Sequence, residues 1–266
     1  MSVNLTWEAD KPLFHNRILP SSFRLLIVGK TNSGKTYLMR ILLLYEYLDF
    51  NNTVFFSTSL SQMEYKILIE GYKKGLKNEH LIRLFQIQKT IIDPLKAIEN
   101  TASRLKVSDT NQIVCEAYKK DSKIPSPRKF DKKKKNLIIF DDCAYGDQSN
   151  IHKFFFKGRH NSINSIYLTQ NYFQLPRKSI RANCECFILF KMNKKDLTHF
   201  WTDHCSDDFE KFDDFYKYCS DIWKEDHAYL YIDITKNRKE EKYRSNCFSQ
   251  TSSSSNSSNK VKTVST

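Results

Sequence analysis

The chain has 266 residues, of which 40% are hydrophobic, and its formal net charge is +13. This length suits one large α/β domain or two small ones, and no apolar run reaches the roughly 18 to 20 residues of a membrane span. The N-terminal MSVNLTWEADKP lacks the basic and apolar regions of a signal peptide, so a soluble intracellular protein is predicted. The positive charge fits either a polyanionic partner or a merely solvated lysine-rich face.

The cysteines do not form a pattern typical of a metal site. The chain has seven, an odd number, and no CxxC pair occurs. Cys184 and Cys186 form a CxC without a second pair at the spacing of a zinc site. Reduced thiols in a cytosolic protein are therefore predicted.

Apolar runs of strand length alternate with segments of helical periodicity along most of the chain. FRLLIV, which ends at Val28, is the first predicted strand, and a predicted helix follows from Gly34. The alternation predicts an α/β fold, with a mostly parallel sheet flanked by helices on both faces. Further strands are predicted at 53–58, 136–140, 164–170, 186–191 and 228–233, the last as an edge strand, with 82–88 as one more candidate. Further helices are predicted at 61–74, 93–105, 150–157, 176–183 and through most of 194–220.

Two segments depart from this alternation. Residues 107–135 contain prolines, a lysine run and few apolar residues, so a long basic surface excursion is predicted there. From Ser245 onward the chain is rich in serine and asparagine, which predicts a disordered tail over 245–266. The predicted organisation is one folded domain over 1–244 followed by that tail.

The stretch GKTNSGKT, residues 29–36, matches the phosphate-binding pattern G-x-x-x-x-G-K-[ST] in full and lies between a predicted strand and a predicted helix. Backbone N–H groups of such a loop and of the helix N-terminus attract anionic oxygen. Gly34 lets the backbone approach the phosphates, Lys35 reaches the β- and γ-phosphates, and Thr36 places its hydroxyl on Mg²⁺. The predicted nucleotide-binding residues are Gly29, Lys30, Thr31, Asn32, Ser33, Gly34, Lys35 and Thr36.

Two carboxylates follow the apolar strand NLIIF, at the edge where ligands bind in open α/β sheets. Asp141 is the predicted partner of Mg²⁺, directly or through water. Asp142 is predicted to orient and polarise the attacking water. The alternative for Asp142 is to cap the following helix, a role that Asp fills well.

A glutamine and an arginine flank the next strand. Gln170 ends that strand, so its amide is predicted to reach the γ-phosphate or the water and to sense hydrolysis. Arg159 precedes the strand and should not reach the nucleotide of its own subunit, whereas in a ring it would enter the neighbouring site as an arginine finger. A surface salt bridge or a nucleic-acid contact is the alternative for Arg159, and Arg181 is the second candidate for the finger.

A GTPase is disfavoured by the same stretch of sequence. Asn193, Lys194 and Asp196 form a partial match to a guanine-reading loop, and they follow a strand where such a loop would be expected. However, the adjacent carboxylates of Asp141 and Asp142 stand where a GTPase has a DxxG switch.

Four segments carry a resemblance to a known family: GKTNSGKT, LIIFDD, GRHNSINSIYLTQNYFQLP and IRANCECFILFK. They resemble the DNA-packaging ATPases of large eukaryotic DNA viruses, virophages and Maverick/Polinton elements, within the FtsK–HerA superfamily of P-loop motors. The resemblance covers most of residues 18–192, and 158–176 is its most specific part. Many relatives have Glu after the metal-binding Asp, whereas Asp142 of this chain resembles the poxvirus-like branch.

This resemblance implies an additional-strand (RecA-like) P-loop ATPase domain, ATP hydrolysis with Mg²⁺, a homo-oligomeric ring of five or six subunits, and translocation of double-stranded DNA into a capsid. It also implies capsid or portal-vertex partners and a location in the host-cell cytoplasm or virus factory, with virion association open. The roles it carries over are phosphate and metal binding by Lys35 and Thr36, metal binding by Asp141, water activation by Asp142, sensing by Gln170 and a trans finger at Arg159.

The basic residues 128–135 and 191–195 are the predicted DNA contacts, and their grip should be independent of sequence and weakened by salt. Two other functions remain open. One is a nucleotide or small-molecule kinase, which is disfavoured because the excursion at 107–135 has Arg128 as its one arginine. The other is a nucleotide-gated DNA-binding or capsid-scaffold protein with slow hydrolysis.

Overall fold

The computed structural model describes residues 18–90, 92–105, 113–119, 124–144 and 149–248. Eight strands and eight α-helices lie in this part of the chain. The strands are β1 (Arg24–Val28), β2 (Asn52–Ser57), β3 (Val114–Lys119), β4 (Asn136–Asp141), β5 (Ile163–Thr169), β6 (Cys186–Phe190), β7 (Tyr229–Asp233) and β8 (Tyr243–Ser245). The helices are α1 (Lys35–Leu44), α2 (Met63–Lys73), α3 (Asn78–Gln86), α4 (Pro94–Leu105), α5 (Ser149–Lys157), α6 (Lys194–His204), α7 (Phe212–Ile222) and α8 (Lys239–Lys242).

The strands form one sheet in the order β3-β2-β4-β5-β1-β6-β7-β8. All pairs from β3 across to β6 are parallel, and β7 and β8 continue the sheet antiparallel. β5 lies between β1, which leads into the phosphate loop, and β4, which ends in Asp141. An inserted strand at this place is the additional strand of the predicted P-loop type, so the predicted fold class is confirmed.

Helices cover both faces of the sheet, because neighbouring residues of each central strand point to opposite sides. Leu25 and Ile27 of β1 pack in a core with α1, α2, α3 and α4. Leu26 and Val28 pack in a second core with α5, α6 and α7. The continuous apolar run of FRLLIV is therefore explained by burial on both faces.

The parallel register brings the functional segments to two opposite edges of the sheet. Val28 pairs with Thr169, and Asp141 pairs with Leu168, so the phosphate loop, the Asp pair and Gln170 leave the sheet at one edge. At the other edge, Arg24 begins β1 and lies beside the start of β6. This polarity determines which side chains can share a site.

Several sequence predictions are corrected by the structure. The candidate strand at 82–88 is wrong: most of it belongs to α3, which packs Leu81, Leu84 and Phe85 at helical spacing. The excursion at 107–135 contains β3, which pairs in parallel with β2. β3 was missed because only Cys115 in it is buried, as suits a strand at the sheet edge.

Two further elements differ from their predictions at the other end of the chain. Within 176–183 the structure has only a short 3₁₀ turn at its end, Arg181–Asn183. β7 is not an edge strand, because β8 pairs with its outer side. The predicted tail begins too early at Ser245, which belongs to β8, and the remaining residues 249–266 lie outside the described part.

The described helices include none that is long and apolar enough to cross a membrane. All seven cysteines are free thiols, and six of them are buried. Across the described ranges, no group of three or more His, Cys, Asp or Glu side chains is arranged to hold a metal ion. The cysteines therefore contribute to packing as small apolar side chains.

Phe248 provides a test of where the folded domain ends. Its side chain is 5% exposed, its ring lies 5.0 Å from that of Tyr47, and its N–H donates to the Tyr229 hydroxyl at 2.7 Å. Phe248→Ala should lower the free energy of unfolding by about 3 kcal/mol, because it leaves a cavity in the core. Chemical denaturation measures this loss.

The matched control is Phe156→Ala, since Phe156 is 51% exposed on α5. This change should alter the free energy of unfolding by about 0.5 kcal/mol or less. Equal effects of the two substitutions would show that residues 246–248 do not pack on the domain.

Candidate nucleotide-binding site

The phosphate loop joins β1 to α1 and uses glycine at two positions for different reasons. A Cβ on Gly29 would lie 2.5 Å from Ser33 Oγ and 2.6 Å from Phe190 Cβ, so there is no room for a side chain. Gly34 has φ 104°, a left-handed conformation that favours glycine, and it is the N-cap of α1. The loop therefore turns sharply and directs the helix N-terminus into the cleft, as an anion site requires.

Lys35 lies across the loop. Its Nζ donates to Gly29 O at 2.7 Å and to Lys30 O at 2.8 Å. An ammonium group has three N–H donors, so a third is available to a phosphate oxygen. Burial lowers the pKa of Lys35, and the carboxylates of Asp141 and Asp142 act against that shift.

A cleft of about 480 Å³ opens above the loop, at the edge where β1, β4 and β5 end. It brings together eight of the eleven residues predicted to act on a nucleotide within one subunit, whereas Gly29, Lys30 and Ser33 do not line it. Polar side chains from α1, α2 and the segment after β2 complete its wall. Its lining includes Thr31, Asn32, Gly34, Lys35, Thr36, Asp141, Asp142 and Gln170.

Asp141 is buried and firmly oriented. Its Oδ2 accepts a hydrogen bond from the Tyr65 hydroxyl at 2.6 Å and another from Ser57 Oγ at 3.3 Å. Burial raises the pKa of Asp141, while the bond from Tyr65 and the charge of Lys35 act in the opposite direction. Both bonds go to one oxygen, so the other can face a metal ion or its bound water.

The donors in the cleft fit Mg²⁺. The carboxylate of Asp141 and the hydroxyl of Thr36 line the same cleft as the phosphate loop. Mg²⁺ prefers hard oxygen ligands and is usually held by one or two protein groups together with phosphate and water. These two side chains would hold the ion, with the Tyr65 hydroxyl orienting the carboxylate.

Asp142 has φ 53°, an unusual conformation for a residue other than glycine. Its N–H donates to Leu168 O at 3.1 Å, which extends the pairing with β5 by one residue. Cys143 and Ala144, which directly follow Asp142, are not helical, so the alternative role of Asp142 as a helix cap is excluded. The carboxylate instead lines the cleft beside Asp141.

Gln170 directly follows β5 and contacts the phosphate loop. Its Oε1 accepts a hydrogen bond from Thr31 Oγ1 at 2.9 Å. It therefore lies between the loop and the Asp pair, as its predicted sensing role requires. That role stays a prediction.

The two candidate finger residues lie outside this cleft. Arg159, in a 3₁₀ turn (Gly158–Asn161) before β5, is at the opposite edge, half exposed and paired with Glu185. Arg181 has a side chain only 7% exposed that pairs with Asp203 at 2.8 Å. A buried, paired guanidinium is poorly suited to enter another subunit, so the geometry favours Arg159 over Arg181.

Three side chains near the site were not identified from the sequence. Tyr65 could have been suspected, because a tyrosine on the apolar face of a predicted helix needs a partner for its hydroxyl. Arg40 of α1 is buried with its guanidinium 4.3 Å from the ring centre of Phe85 and lines the cleft. His227 places Nδ1 at 3.3 Å from Ser33 O, and no local pattern indicates that contact.

Comparison with known protein families shows which family this chain belongs to. The profile of a family described as "Poxvirus A32 protein" matches residues 11–205. The chain belongs to the poxvirus A32 protein family. Both the predicted resemblance to the poxvirus-like branch of P-loop motors and the predicted class of enzyme, an ATPase, are thereby confirmed.

Solved structures show more distant similarity. The genome-packaging NTPase B204 from Sulfolobus turreted icosahedral virus 2, in complex with ATP-gammaS, is 11% identical, with a TM-score of 0.46 over 85% of this chain and 98% of that one. VirB4 of Thermoanaerobacter pseudethanolicus is 12% identical, with a TM-score of 0.45 over 80% of this chain and 87% of that one. No curated protein matched. The assignment to the A32 family does not depend on these similarities.

Tyr65 provides a test of the metal site. Tyr65→Phe removes the hydroxyl that orients Asp141 and should raise the Mg²⁺ concentration for half-maximal ATPase activity by about tenfold or more. Titration of activity with Mg²⁺ at fixed ATP measures the change. Tyr72→Phe is the control, because Tyr72 is also buried but bonds to Asn78 at 3.2 Å. Identical Mg²⁺ dependence in the two variants would contradict the assignment.

Proposed function

We propose that this protein is an ATP-driven motor that moves double-stranded viral or virus-like DNA into a capsid. The observation that carries the proposal is the division of the site between two edges of the sheet. The phosphate loop, the Asp pair and Gln170 lie at one edge, while Arg159 lies at the other. Membership of the A32 family supports the coarser statement, a viral packaging ATPase.

Within one subunit, the cleft binds the triphosphate and prepares the attacking water. Backbone N–H groups of the loop and the third N–H of Lys35 bind the β- and γ-phosphates. Thr36 and Asp141 would hold Mg²⁺, which would supply positive charge against the developing charge on the phosphates. The Asp142 carboxylate accepts a hydrogen bond from the water, which attacks the γ-phosphorus as the bond to the bridging β–γ oxygen breaks. ADP and phosphate are the products, and the proton of the water leaves with the phosphate or to solvent.

Gln170 connects the state of the phosphates to the rest of the sheet. It contacts Thr31 of the loop, and β5 extends from it to the opposite edge, where Arg159 lies. A change in its hydrogen bonds on hydrolysis would therefore reach the surface that carries Arg159. This is the proposed route by which one site signals to the next subunit.

Arg159 acts in the neighbouring subunit of a ring. It cannot reach its own cleft, because the length of β5, Ile163–Thr169, separates them. At an interface between copies, its half-exposed guanidinium would face the γ-phosphate of the adjacent site and stabilise charge in the transition state. The proposal includes this homo-oligomeric ring.

The two predicted DNA-binding segments lie at different edges. Residues 128–135 precede β4 and lie near Arg159, since Ser162 Oγ bonds to Lys132 O at 2.9 Å. Residues 191–195 follow β6, beside the phosphate loop. We propose that 191–195 grips the DNA backbone, because segments at the nucleotide edge respond most directly to hydrolysis.

The remaining predicted partners and locations belong to the same proposal. Packaging requires a docking partner on the capsid, so a capsid or portal-vertex protein would hold the ring. The protein would act in the host-cell cytoplasm or in a virus factory, and it would be found with virions if the ring stays at the vertex. Immunofluorescence during infection together with proteomics of purified virions tests these locations.

Duplex DNA should stimulate the ATPase, and binding should weaken steeply with salt whatever the sequence. A double Ala substitution of Lys194 and Lys195 removes two phosphate contacts. The plot of log affinity against log salt, which falls as salt rises, should therefore become less steep by about 2. Fluorescence anisotropy at several salt concentrations measures the slope. The matched control is a double Ala substitution of Lys132 and Lys133. A larger effect of the control on the salt dependence would indicate that DNA binds at the opposite edge. An ATPase rate that does not change when duplex DNA is added would reject a motor.

Arg159→Ala should reduce hydrolysis by about 10³-fold or more while ATP binding stays intact. Mixing it with Lys35→Ala protein should restore part of the activity, because some interfaces then pair an intact loop with an intact finger. Arg177→Ala is the control, since Arg177 is an exposed arginine paired with Asp203 at 3.0 Å, and it should behave as wild type. Absence of rescue at every mixing ratio would reject action in trans.

A further inference from the structure

Glu185 directly precedes β6, at the edge of the sheet opposite the phosphate loop. Its N–H donates to Arg24 O at 3.2 Å, and its carbonyl accepts from Ile234 N–H at 2.9 Å. Its backbone is therefore held between the start of β1 and the end of β7. The side chain is only 11% exposed, which is unusual for an acidic residue unless it is paired.

Arg24 occupies most of this carboxylate. Oε2 of Glu185 accepts bonds from the backbone N–H and from Nε of Arg24, both at 3.0 Å, and Oε1 accepts from Nη2. This two-pronged contact of the guanidinium with both carboxylate oxygens fixes the orientation of the carboxylate and also neutralises its charge. The other terminal nitrogen of Arg24 donates to Phe155 O at 2.6 Å, so α5 fixes the guanidinium in turn.

Arg159 contacts the same carboxylate of Glu185 from the solvent side. Its Nη2 contacts Oε1 of Glu185, and its side chain is 50% exposed, so its outer side faces solvent. Burial lowers the pKa of Arg159 most, and the charge of Arg24 lowers it further, because the two guanidinium groups repel each other. Without the carboxylate, this repulsion would drive Arg159 away from the sheet edge.

An ordinary surface ion pair does not account for this arrangement. Arg24 alone neutralises and binds the buried carboxylate, so Glu185 does not need a second guanidinium. The three groups together carry a net charge of +1, and the exposed part of that charge lies on Arg159. An exposed ion pair contributes about 0 to 1 kcal/mol to stability, so a gain in stability does not explain why Arg159 is paired with a nearly buried carboxylate.

We propose that Glu185, itself fixed by Arg24, is a positioning residue that holds Arg159 in the orientation required to act in the neighbouring subunit. The inference rests on the proposed function, in which Arg159 is a finger in trans. It adds a defined support to that finger, built from the first residue of β1 and the residue before β6.

Glu185→Gln tests the inference, because it keeps the shape of the side chain and removes the charge that holds the two guanidinium groups together. The kcat for ATP hydrolysis should fall by about ten- to a hundredfold, the loss typical of a misplaced catalytic group. The KM for ATP should stay unchanged, because the phosphate loop lies at the other edge. Steady-state kinetics of the full chain with duplex DNA measures both constants.

A mixing experiment separates positioning from a merely structural role. In mixtures of Glu185→Gln with Lys35→Ala, some interfaces pair the intact loop of the first variant with the intact finger of the second. The rate should then exceed the sum of the two separate rates. A defect in folding or in the variant's own nucleotide site would give no such gain.

Asp208→Asn is the matched control. Asp208 pairs with Lys242 and accepts from the Tyr243 hydroxyl at 2.7 Å, on a part of the domain without contact to Arg159. It should leave kcat near that of wild type. Arg24→Lys is a second variant in case Glu185→Gln does not fold: it keeps the charge, loses the two-pronged contact, and should show a smaller kcat loss with the same rescue on mixing.

The outcomes distinguish this inference from the proposed function. A wild-type kcat in Glu185→Gln, or in Arg24→Lys if the first does not fold, would overturn the inference and leave rescue of Arg159→Ala to decide the trans finger. A kcat loss without rescue, alongside rescue of Arg159→Ala, would also overturn it. If Arg159→Ala itself is not rescued, the proposed trans action is rejected, and the positioning role with it.

Discussion

The pairing of β5 with both β1 and β4 is the constraint on which the site depends. β1 leads into the phosphate loop and β4 ends in Asp141, so the inserted strand sets the distance between them. Because all three strands are parallel, their carboxyl ends meet at one edge, where backbone N–H groups and carboxylates converge. Gln170 follows the inserted strand and comes to lie between the two halves of the cleft.

Burial tunes the charged groups that this arrangement brings together. Desolvation lowers the pKa of Lys35 and raises that of Asp141, and the attraction between them opposes both shifts. Each group stabilises the charged form of the other, so neither is isolated in a medium of low polarity. The hydroxyl of Tyr65 then fixes the direction of the carboxylate, a contact that depends on the packing of α2 against the sheet.

The same strand runs from the nucleotide-binding edge of the sheet to the edge that carries Arg159. Gln170 at one end of β5 contacts the phosphate loop, and Arg159 precedes the other end, where Glu185 and Arg24 hold it. The backbone of Glu185 is hydrogen-bonded to Arg24 of β1 and to Ile234, which directly follows β7, so the support is anchored to the central sheet. If Arg159 acts in trans as proposed, the site at one edge of a subunit would be completed by the charge at the other edge of its neighbour, an arrangement suited to head-to-tail assembly.

The sequence by itself determined the phosphate loop, the positions of the main strands along the chain, and the carboxylates and glutamine that follow them, because these depend on local spacing and on strand ends. It did not reveal β3 or β8, whose few apolar residues make sense only beside a neighbouring strand. It also could not reveal the contacts of Tyr65, His227 and Glu185, which come from segments far apart in the chain. Only the tertiary structure decided these, since a side chain without a local pattern acquires its role from what the fold places next to it.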